Sequence, residues 1–272
     1  MKWKIKKNVI AKLFHKNINI IEPWGFETAD SSAFFSLEEG IGYRYDVIDS
    51  QSSGCQNKFS GSQTVKMQEG KWKLNFNDEI IDQSNINRTV KIECLEDSYF
   101  MDFVMRFRIK KEFVKYAVIN DKKIFHKNSN IYHQYPVDHL YLKGIDGIFN
   151  IIIKIKDSII PDGLSPFMYV RDRGNEWIIH ARMLPQVHDK TVIKLCNNWY
   201  KTKPIPQFLS KFLLLNSKIK NNLWYRGEFS PFKSKILRFI NPAAFPMVKL
   251  KKGTKLMWDI DFQIIDKNIK NT

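Results

Sequence analysis

Cysteine is scarce in this sequence, and no long apolar run occurs. The 272 residues include three cysteines, Cys55, Cys94 and Cys196. They are far apart and form no Cys-x-x-Cys pair, so their spacing predicts neither a disulfide framework nor a zinc ribbon. No stretch approaches the roughly 18 consecutive apolar residues of a membrane-spanning helix. Lysines also interrupt the apolar residues near the N-terminus, unlike the core of a signal peptide. We therefore expect a cytoplasmic protein.

The sequence also lacks the short motifs of several enzyme classes. No GxGxxG, GxxxxGK[ST], GxSxG or HExxH occurs. These absences argue against a Rossmann dehydrogenase, a P-loop nucleotide hydrolase, an α/β-hydrolase and a zincin. The best candidates for metal ligands are His126, His133, Asp138 and His139. Their spacing matches no established zinc or cupin pattern. We expect no metal and no cofactor.

Acidic residues are few in two segments, which carry most of the excess positive charge. The whole chain has a net charge of +16. Between Pro185 and Lys255, fifteen Lys or Arg residues stand against Asp189 and Glu228, a local balance of +13. The first sixteen residues add six lysines and no acid, so the remainder is close to neutral. A near-neutral body with basic attachments predicts an anionic partner, which is a nucleic acid, an acidic lipid or an acidic substrate.

The remaining composition is typical of a globular protein. Hydrophobic residues make up 43% of the chain and charged residues 26%, values that exclude wholesale disorder. The length allows one large domain or two modest ones with a buried core. Aromatic residues are abundant, with 20 Phe, 10 Tyr and 7 Trp. They are consistent with core packing and strand formation, and also with stacking platforms in a ligand groove.

Strict alternation of apolar and polar residues predicts many short strands. In the clearest segment, 99–110, one face is apolar and the other carries Asp102, Arg106, Arg108 and Lys110. Turn signals such as Asn-Asp at 120–121 separate the other candidates. Strands are expected at 72–76, 88–94, 113–119, 131–135, 139–143, 149–156, 167–172, 176–184 and 255–265. This density predicts a mainly β fold, an antiparallel β-sandwich or barrel, and resembles that of sugar-handling sandwiches and large lipocalin-like barrels.

Apolar residues recur at helical spacing in the two basic segments, where we expect helices. Residues 2–16 predict a short basic helix, and residues 206–223 and 230–240 predict two more. The chain then divides into three parts of one compact domain. They are a β-rich body at 1–184 that includes the N-terminal helix, a basic α-helical insertion at 185–255 before the last strand, and a final strand at 256–272.

The segment 167–184 carries the first candidate site. Trp177 and Ile179 begin an apolar face, so His180 and Arg182 share the opposite face. Arginines suit a carboxylate or phosphate, and histidine suits proton transfer. We predict His180 as acid or base. The predicted substrate-binding residues are Arg106, Arg108, Arg182, Trp177 and Tyr169. The alternative is a solvated sheet face with cross-strand ion pairs.

A second cluster lies between residues 132 and 143. His133 and Tyr135 share a strand face and are predicted as further catalytic residues, while His139 follows beyond Pro136. Histidine and tyrosine beside arginine suit proton abstraction next to a carboxylate, as in uronate lyases. Carboxylate pairs at 38–39 and 259–261 are candidates for glycosidic acid/base chemistry. The alternative is that these residues cap turns or lie at the rim of a sheet.

The basic insertion has the composition of an anionic-surface-binding segment. Its lysines alternate with Phe, Leu and Trp, as in helices that bind acidic lipid or track phosphates. The residues predicted to bind the anionic surface are Lys211, Lys218, Lys220, Lys233, Lys235 and Arg238. The alternative is a pair of helices packed on the sheet with solvated lysines.

These patterns leave three functions open and favour one of them. The favoured function is binding of an anionic carbohydrate or lipid-linked sugar at the inner face of a membrane. If the protein is an enzyme, the chemistry is lyase- or transferase-like acid/base chemistry on a basic sheet face. The alternative is a non-enzymatic nucleic-acid-binding protein that uses the basic 185–255 surface. A structural protein without a site is the third. The sequence does not indicate an oligomeric state.

Overall fold

The computed structural model describes residues 1–30, 33–38, 45–67, 69–100, 102–129, 131–145, 149–185 and 248–266. These residues form twenty β-strands and one 3-10 helix, Lys111–Phe113. The first ten strands are β1 (Lys2–Lys6), β2 (Val9–His15), β3 (Ile18–Asn19), β4 (Phe26–Ala29), β5 (Phe34–Ser36), β6 (Asp46–Gly54), β7 (Lys58–Met67), β8 (Gly70–Ile80), β9 (Asn85–Cys94) and β10 (Ser98–Phe100). The others are β11 (Asp102–Lys110), β12 (Val114–Ile119), β13 (Lys122–Phe125), β14 (His133–Tyr135), β15 (His139–Gly144), β16 (Phe149–Ile159), β17 (Leu164–Arg173), β18 (Glu176–Pro185), β19 (Val248–Leu250) and β20 (Lys255–Asp266).

Two large antiparallel sheets dominate the architecture. The six-stranded sheet has the order β14-β17-β18-β11-β4-β5. The nine-stranded sheet has the order β13-β12-β15-β16-β20-β9-β8-β7-β6. Two smaller sheets, β1-β2-β3 and β10-β19, complete the described residues. Consecutive strands are mostly neighbours, as expected where short turns join antiparallel strands.

The apolar core lies between the two large sheets. Phe107 of the six-stranded sheet stacks on Phe262 of the nine-stranded sheet, with ring centroids 6.3 Å apart. The indole N–H of Trp258 donates a hydrogen bond to the carbonyl of Phe103 at 3.3 Å. Trp24 contacts both Phe107 and Phe262. One face of each sheet is therefore buried against the other, which makes the fold a β-sandwich and confirms the predicted mainly β class.

The strands predicted from alternation are all present. The segment 99–110 forms β10 and β11, and the segment 255–265 forms β20. Residues 88–94 lie in β9, where the exposed and buried side chains alternate as predicted. The pattern worked because each of these strands has one face against the core and one away from it.

The predicted basic helix over residues 2–16 is wrong, because the segment forms the hairpin of β1 and β2. The lysines of β1 are exposed and alternate with the half-buried Trp3 and Ile5. This two-residue period favours a strand over a helix. Lys7 has a φ of 52°, a left-handed conformation that fits the tight turn between the two strands.

The basic helical insertion falls mainly on residues 186–247, which lie outside the described residues. The described end of that predicted segment includes the short strand β19, which pairs with β10. The last predicted part begins within β20, and residues 267–272 again lie outside the description. Among the residues that are described, no helix has the length and apolar character needed to cross a membrane.

Candidate functional site

The polar face of the six-stranded sheet is the candidate site. We call this face, which is turned away from the nine-stranded sheet, the site face. Its position follows from strand alternation, since Trp177 and Ile179 point into the core and His180 points away from it. The chemically active side chains that share the site face are Glu27, Asp102, Arg106, Arg108, Gln134, Tyr169, Arg171, Glu176, His180 and Arg182.

His180 lies at the centre of this face, between two cross-strand partners. Arg106 of β11 and Tyr169 of β17 are both directly opposite it. The Tyr169 hydroxyl lies 3.2 Å from His180 Nε2, and the two rings are 4.3 Å apart. Burial raises the pKa of Tyr169, so its hydroxyl keeps its proton. The hydrogen bond between this hydroxyl and Nε2 fixes the orientation of the imidazole ring.

His180 is held neutral by its surroundings. Its side chain is 7% exposed, and burial is the main reason why its pKa lies well below the ordinary value of 6.5. Four guanidinium groups lower this pKa further, because a second positive charge is unfavourable beside them. In order of effect they belong to Arg106, Arg182, Arg171 and Arg108. A neutral imidazole can accept a proton and return it from the imidazolium form, which is the cycle required of an acid/base residue.

Arg106 bridges two buried carboxylates. It forms ion pairs with Glu27 and with Glu38, the latter at 2.7 Å between Nη2 and Oε2. Glu38 follows β5, and Gly25 leaves room for it, since a Cβ at Gly25 would lie 2.9 Å from Glu38 Oε1. Burial raises the pKa of Glu27 although Arg106 opposes the effect. The result is a carboxyl group with a greater tendency to hold a proton than an exposed glutamate has.

Arg108 and Arg182 are also paired with acidic residues. Arg108 Nε lies 2.6 Å from Glu176 Oε2, and Arg182 Nε lies 3.1 Å from Asp102 Oδ2. Arg182 also donates a hydrogen bond to Gln134 Oε1 at 3.1 Å. The structure therefore brings the predicted arginines together beside His180. Each of them is paired with a carboxylate, which corresponds to the cross-strand ion pairs of the alternative interpretation.

Arg171 was missed by sequence reasoning. It lies on the site face one alternation beyond Tyr169, and its Nη1 donates a hydrogen bond to the hydroxyl of Tyr132. Its guanidinium carbon lies 4.6 Å from the centre of the Tyr132 ring. The alternation of residues 167–172 already placed Tyr169 and Arg171 on one face, which is the signal that would have identified it.

Trp177 is a correction to the predicted substrate-binding set. It is 0% exposed and belongs to the core between the sheets, on the face opposite His180. Its ring meets the edge of His126, with ring centroids 5.1 Å apart. Adjacent residues of a strand point to opposite faces, so Trp177 cannot flank a ligand that touches His180. Tyr169, by contrast, lies on the site face as described above.

The second histidine cluster does not join the first. His133 and Tyr135 are opposite Val170 and Met168, so they point to the other side of the six-stranded sheet from His180. Gln134, between them, is the residue of β14 that reaches the site face. The prediction that His133 and Tyr135 are catalytic residues beside His180 is therefore wrong, because both lie one residue out of phase with the side chains of the site face.

The remaining candidates lie elsewhere. His139 is in β15 of the nine-stranded sheet and is hydrogen-bonded to Asp138 at 2.7 Å. Asp259 and Asp261 both accept hydrogen bonds from the side chain of Asn87, at 2.6 and 2.9 Å. Within the described part of the chain, no group of three or more His, Cys, Asp or Glu side chains could hold a metal ion.

The predicted anionic-surface residues lie outside the described residues. They are Lys211, Lys218, Lys220, Lys233, Lys235 and Arg238. An open groove of ≈ 510 Å³ lies away from the site face and is lined by parts of residues 2–7 and 52–59. Lysines, serines, Trp3 and Phe59 are among the residues that line it, and no histidine or carboxylate does, so the groove lacks the proton-carrying side chains of the site face.

Comparison with known proteins supports the fold. No protein-family model matches the chain, and no curated protein matches it. A solved structure of a putative aldose 1-epimerase from Escherichia coli K12 matches with a TM-score of 0.50 and 6% identity, over 97% of this chain and 98% of that one. A galactose mutarotase-like protein from Lactobacillus casei ATCC 334 matches with a TM-score of 0.49 and 7% identity, over 97% and 99% of the two chains. The chain therefore has a β-sandwich fold similar to that of the putative epimerase, and at this identity the likeness concerns the fold alone.

Proposed function

We propose that the protein binds an anionic carbohydrate on the site face and modifies it by proton transfer at His180. The observation that carries the proposal is the buried, neutral His180 between Tyr169 and Arg106. The fold supports it, because a putative aldose 1-epimerase has a similar one. Fold alone does not define function, so the argument rests on the chemistry of these side chains.

Two types of proton carrier are present on the site face. The neutral imidazole of His180 is one, and the carboxyl groups beside Arg106 are the other. Their combination suits a sugar reaction in which one group removes a proton while the other supplies one. Tyr169 orients the imidazole through its hydroxyl, so the acid/base residue is held in place before substrate binds.

Interconversion of sugar anomers is the first reaction to test. A base removes the proton of the C1 hydroxyl while an acid protonates the ring oxygen, and the bond between C1 and the ring oxygen breaks as the C1 carbonyl forms. Rotation about the bond from C1 to C2 and reversal of these steps close the ring as the other anomer. This reaction uses the two proton carriers described above, and the alternating arginine and carboxylate groups can bind sugar hydroxyls through charge-assisted hydrogen bonds.

The experiment is the rate of anomer exchange, measured by magnetisation-transfer NMR on a panel of neutral and acidic aldoses. In His180→Gln, which keeps a polar side chain but cannot carry the proton, we expect the rate to fall by about 100-fold or more. Arg173→Gln is the matched control, because Arg173 is an exposed residue at the end of β17. An unchanged rate in a folded His180→Gln protein contradicts the assignment of His180.

A further inference from the structure

Arg171 differs from the other arginines of the site face in its surroundings. Arg106, Arg108 and Arg182 each face a protein carboxylate. Arg171 is half-buried on the same face, and among the described residues no carboxylate lies within ion-pair distance of it. Within the described part of the chain, its positive charge is therefore without a direct ion-pair partner, in a place where burial makes such a charge unfavourable.

The hydrogen bonds of Arg171 leave one edge of its guanidinium group unused. Nη1 donates to the Tyr132 hydroxyl, and the Tyr132 ring covers one side of the planar group. Nε is buried and has no hydrogen-bond partner within the described residues. A buried donor without an acceptor is destabilising, so the Nε and Nη2 edge is suited to an acceptor supplied by a ligand.

We infer that Arg171 binds the carboxylate of an acidic sugar through this edge. The inference rests on the proposed function and specifies its substrate class as uronates. A carboxylate matches the edge because its two oxygens accept the two parallel N–H groups. It also matches in charge, since a carboxylate carries a single negative charge, whereas a phosphate monoester carries about −1.5 to −2 at neutral pH.

The position of Arg171 relative to His180 fits such a substrate. Arg171 and Tyr169 are two residues apart on β17, which corresponds to about 6–7 Å along the strand. Tyr169 is directly opposite His180. A pyranuronate that spans this separation has its C5 carboxylate at Arg171 and its C1 hydroxyl and ring oxygen on the side of His180. The other charges facing Arg171 are Glu27, which attracts it, and Arg106, which repels it.

The test is a set of matched binding measurements. Calorimetric titration compares glucuronate with glucose, galacturonate with galactose, and glucose 6-phosphate as the phosphate probe. We expect the wild-type protein to bind at least one uronate about tenfold or more tightly than its neutral counterpart. Arg171→Gln should lose this preference, so that the uronate and its neutral counterpart bind the variant with similar affinity. Arg171→Lys should recover it only in part, because lysine keeps the charge without the planar edge.

Control variants and rate measurements separate the possible results. Arg173→Gln should keep the full preference for the uronate. The inference is overturned if uronates bind no better than neutral sugars, if Arg171→Gln keeps the preference, or if the phosphate sugar is preferred. Each of these results leaves the proposed acid/base role of His180 intact, because anomer exchange on neutral aldoses tests that role without Arg171. Absence of both binding and exchange with all five sugars overturns both proposals.

Discussion

At the residue scale, burial and positive charge act on His180 in the same direction. The imidazole lies among four guanidinium groups, three of which are themselves neutralised by carboxylates. The protein therefore keeps the histidine neutral without leaving the site face strongly basic. A positively charged His180 would itself lose its hydration on burial and would be repelled by the guanidinium groups, so the neutral form is favoured in the folded state.

This arrangement predicts a loss of stability at mildly acidic pH. In the unfolded chain, His180 has its ordinary pKa and takes up a proton as the pH falls through about 6.5. The folded protein keeps it neutral, so the unfolded state binds more protons and gains stability relative to the folded one. The contribution of His180 to the free energy of unfolding is complete above about pH 6.5 and is lost as the pH falls below this value. Between about pH 7.5 and about pH 5.5, urea unfolding should show a loss of up to about 1.4 kcal/mol from this residue.

The matched control is His180→Gln, which does not titrate and should lack this part of the loss. Glu27 and Asp102 act with the opposite sign, because burial raises their pKa values in the folded state. Their contribution is present in both proteins, so the difference between the two unfolding curves isolates His180. Identical losses in the wild type and the variant would show that the imidazole is not held neutral.

At the scale of elements, a buried ion pair of the nine-stranded sheet lies beneath the site face, and its arginine reaches the six-stranded sheet. Arg88 of β9 lies 2.8 Å from Asp78 of β8, and both side chains are buried. Arg88 also donates a hydrogen bond to the carbonyl of Arg106 in β11 at 3.3 Å. Its guanidinium carbon lies 5.2 Å from the Trp24 ring. The position of β11, which carries Arg106 and Arg108, is therefore supported from inside the sandwich.

Breaking this pair by a single substitution should be costly. Arg88→Met leaves Asp78 buried without its counter-charge, and we expect the free energy of unfolding in urea to fall by roughly 3–5 kcal/mol. Replacing both residues, Asp78→Leu with Arg88→Met, should recover much of this loss, because no buried charge is left alone. A double variant as unstable as Arg88→Met would contradict this account.

At the scale of the whole molecule, the uneven charge distribution is the main feature that the site does not explain. The chain carries a net charge of +16, and the segment Pro185–Lys255 carries +13 of it. We propose that this segment places the protein at an anionic membrane surface, where each lysine contributes about 1 kcal/mol to binding. Salt weakens such electrostatic binding but does not weaken the burial of apolar groups in lipid, so a salt series distinguishes the two kinds of membrane binding.

Vesicle flotation over a salt series tests this proposal. The wild-type protein should float with vesicles that contain anionic lipid, less so at high salt, and not with neutral vesicles. Charge reversal at Lys218 and Lys220 should weaken binding by roughly tenfold or more. The matched control reverses Lys91 and Lys156, two exposed residues of the nine-stranded sheet, with the same change in net charge. Failure to bind anionic vesicles at low salt contradicts the membrane proposal and directs the test to oligonucleotides, the alternative partner.

Much of the fold was predictable because strand alternation is a local property. The side chains of β11 and β18 alternate between a buried and a polar face, so the sequence alone determined that Arg106 and Arg108 share one side of a strand. It also determined that His180 and Arg182 lie opposite Trp177. The prediction failed at residues 2–16, where helical and strand spacing were both present and the two-residue period prevailed.

Only the tertiary structure decided what surrounds His180. The register of the six-stranded sheet places Tyr169 and Arg106 opposite His180, and a shift of one residue would have turned them to the other face. Glu27 of β4 and Glu38, which follows β5, reach Arg106 from a part of the chain far away in sequence, and no local pattern indicates such a pairing. The sequence determined which side chains share a strand face. The packing of distant strands decided which arginines are paired with a carboxylate, and within the described residues it leaves Arg171 without such an ion pair.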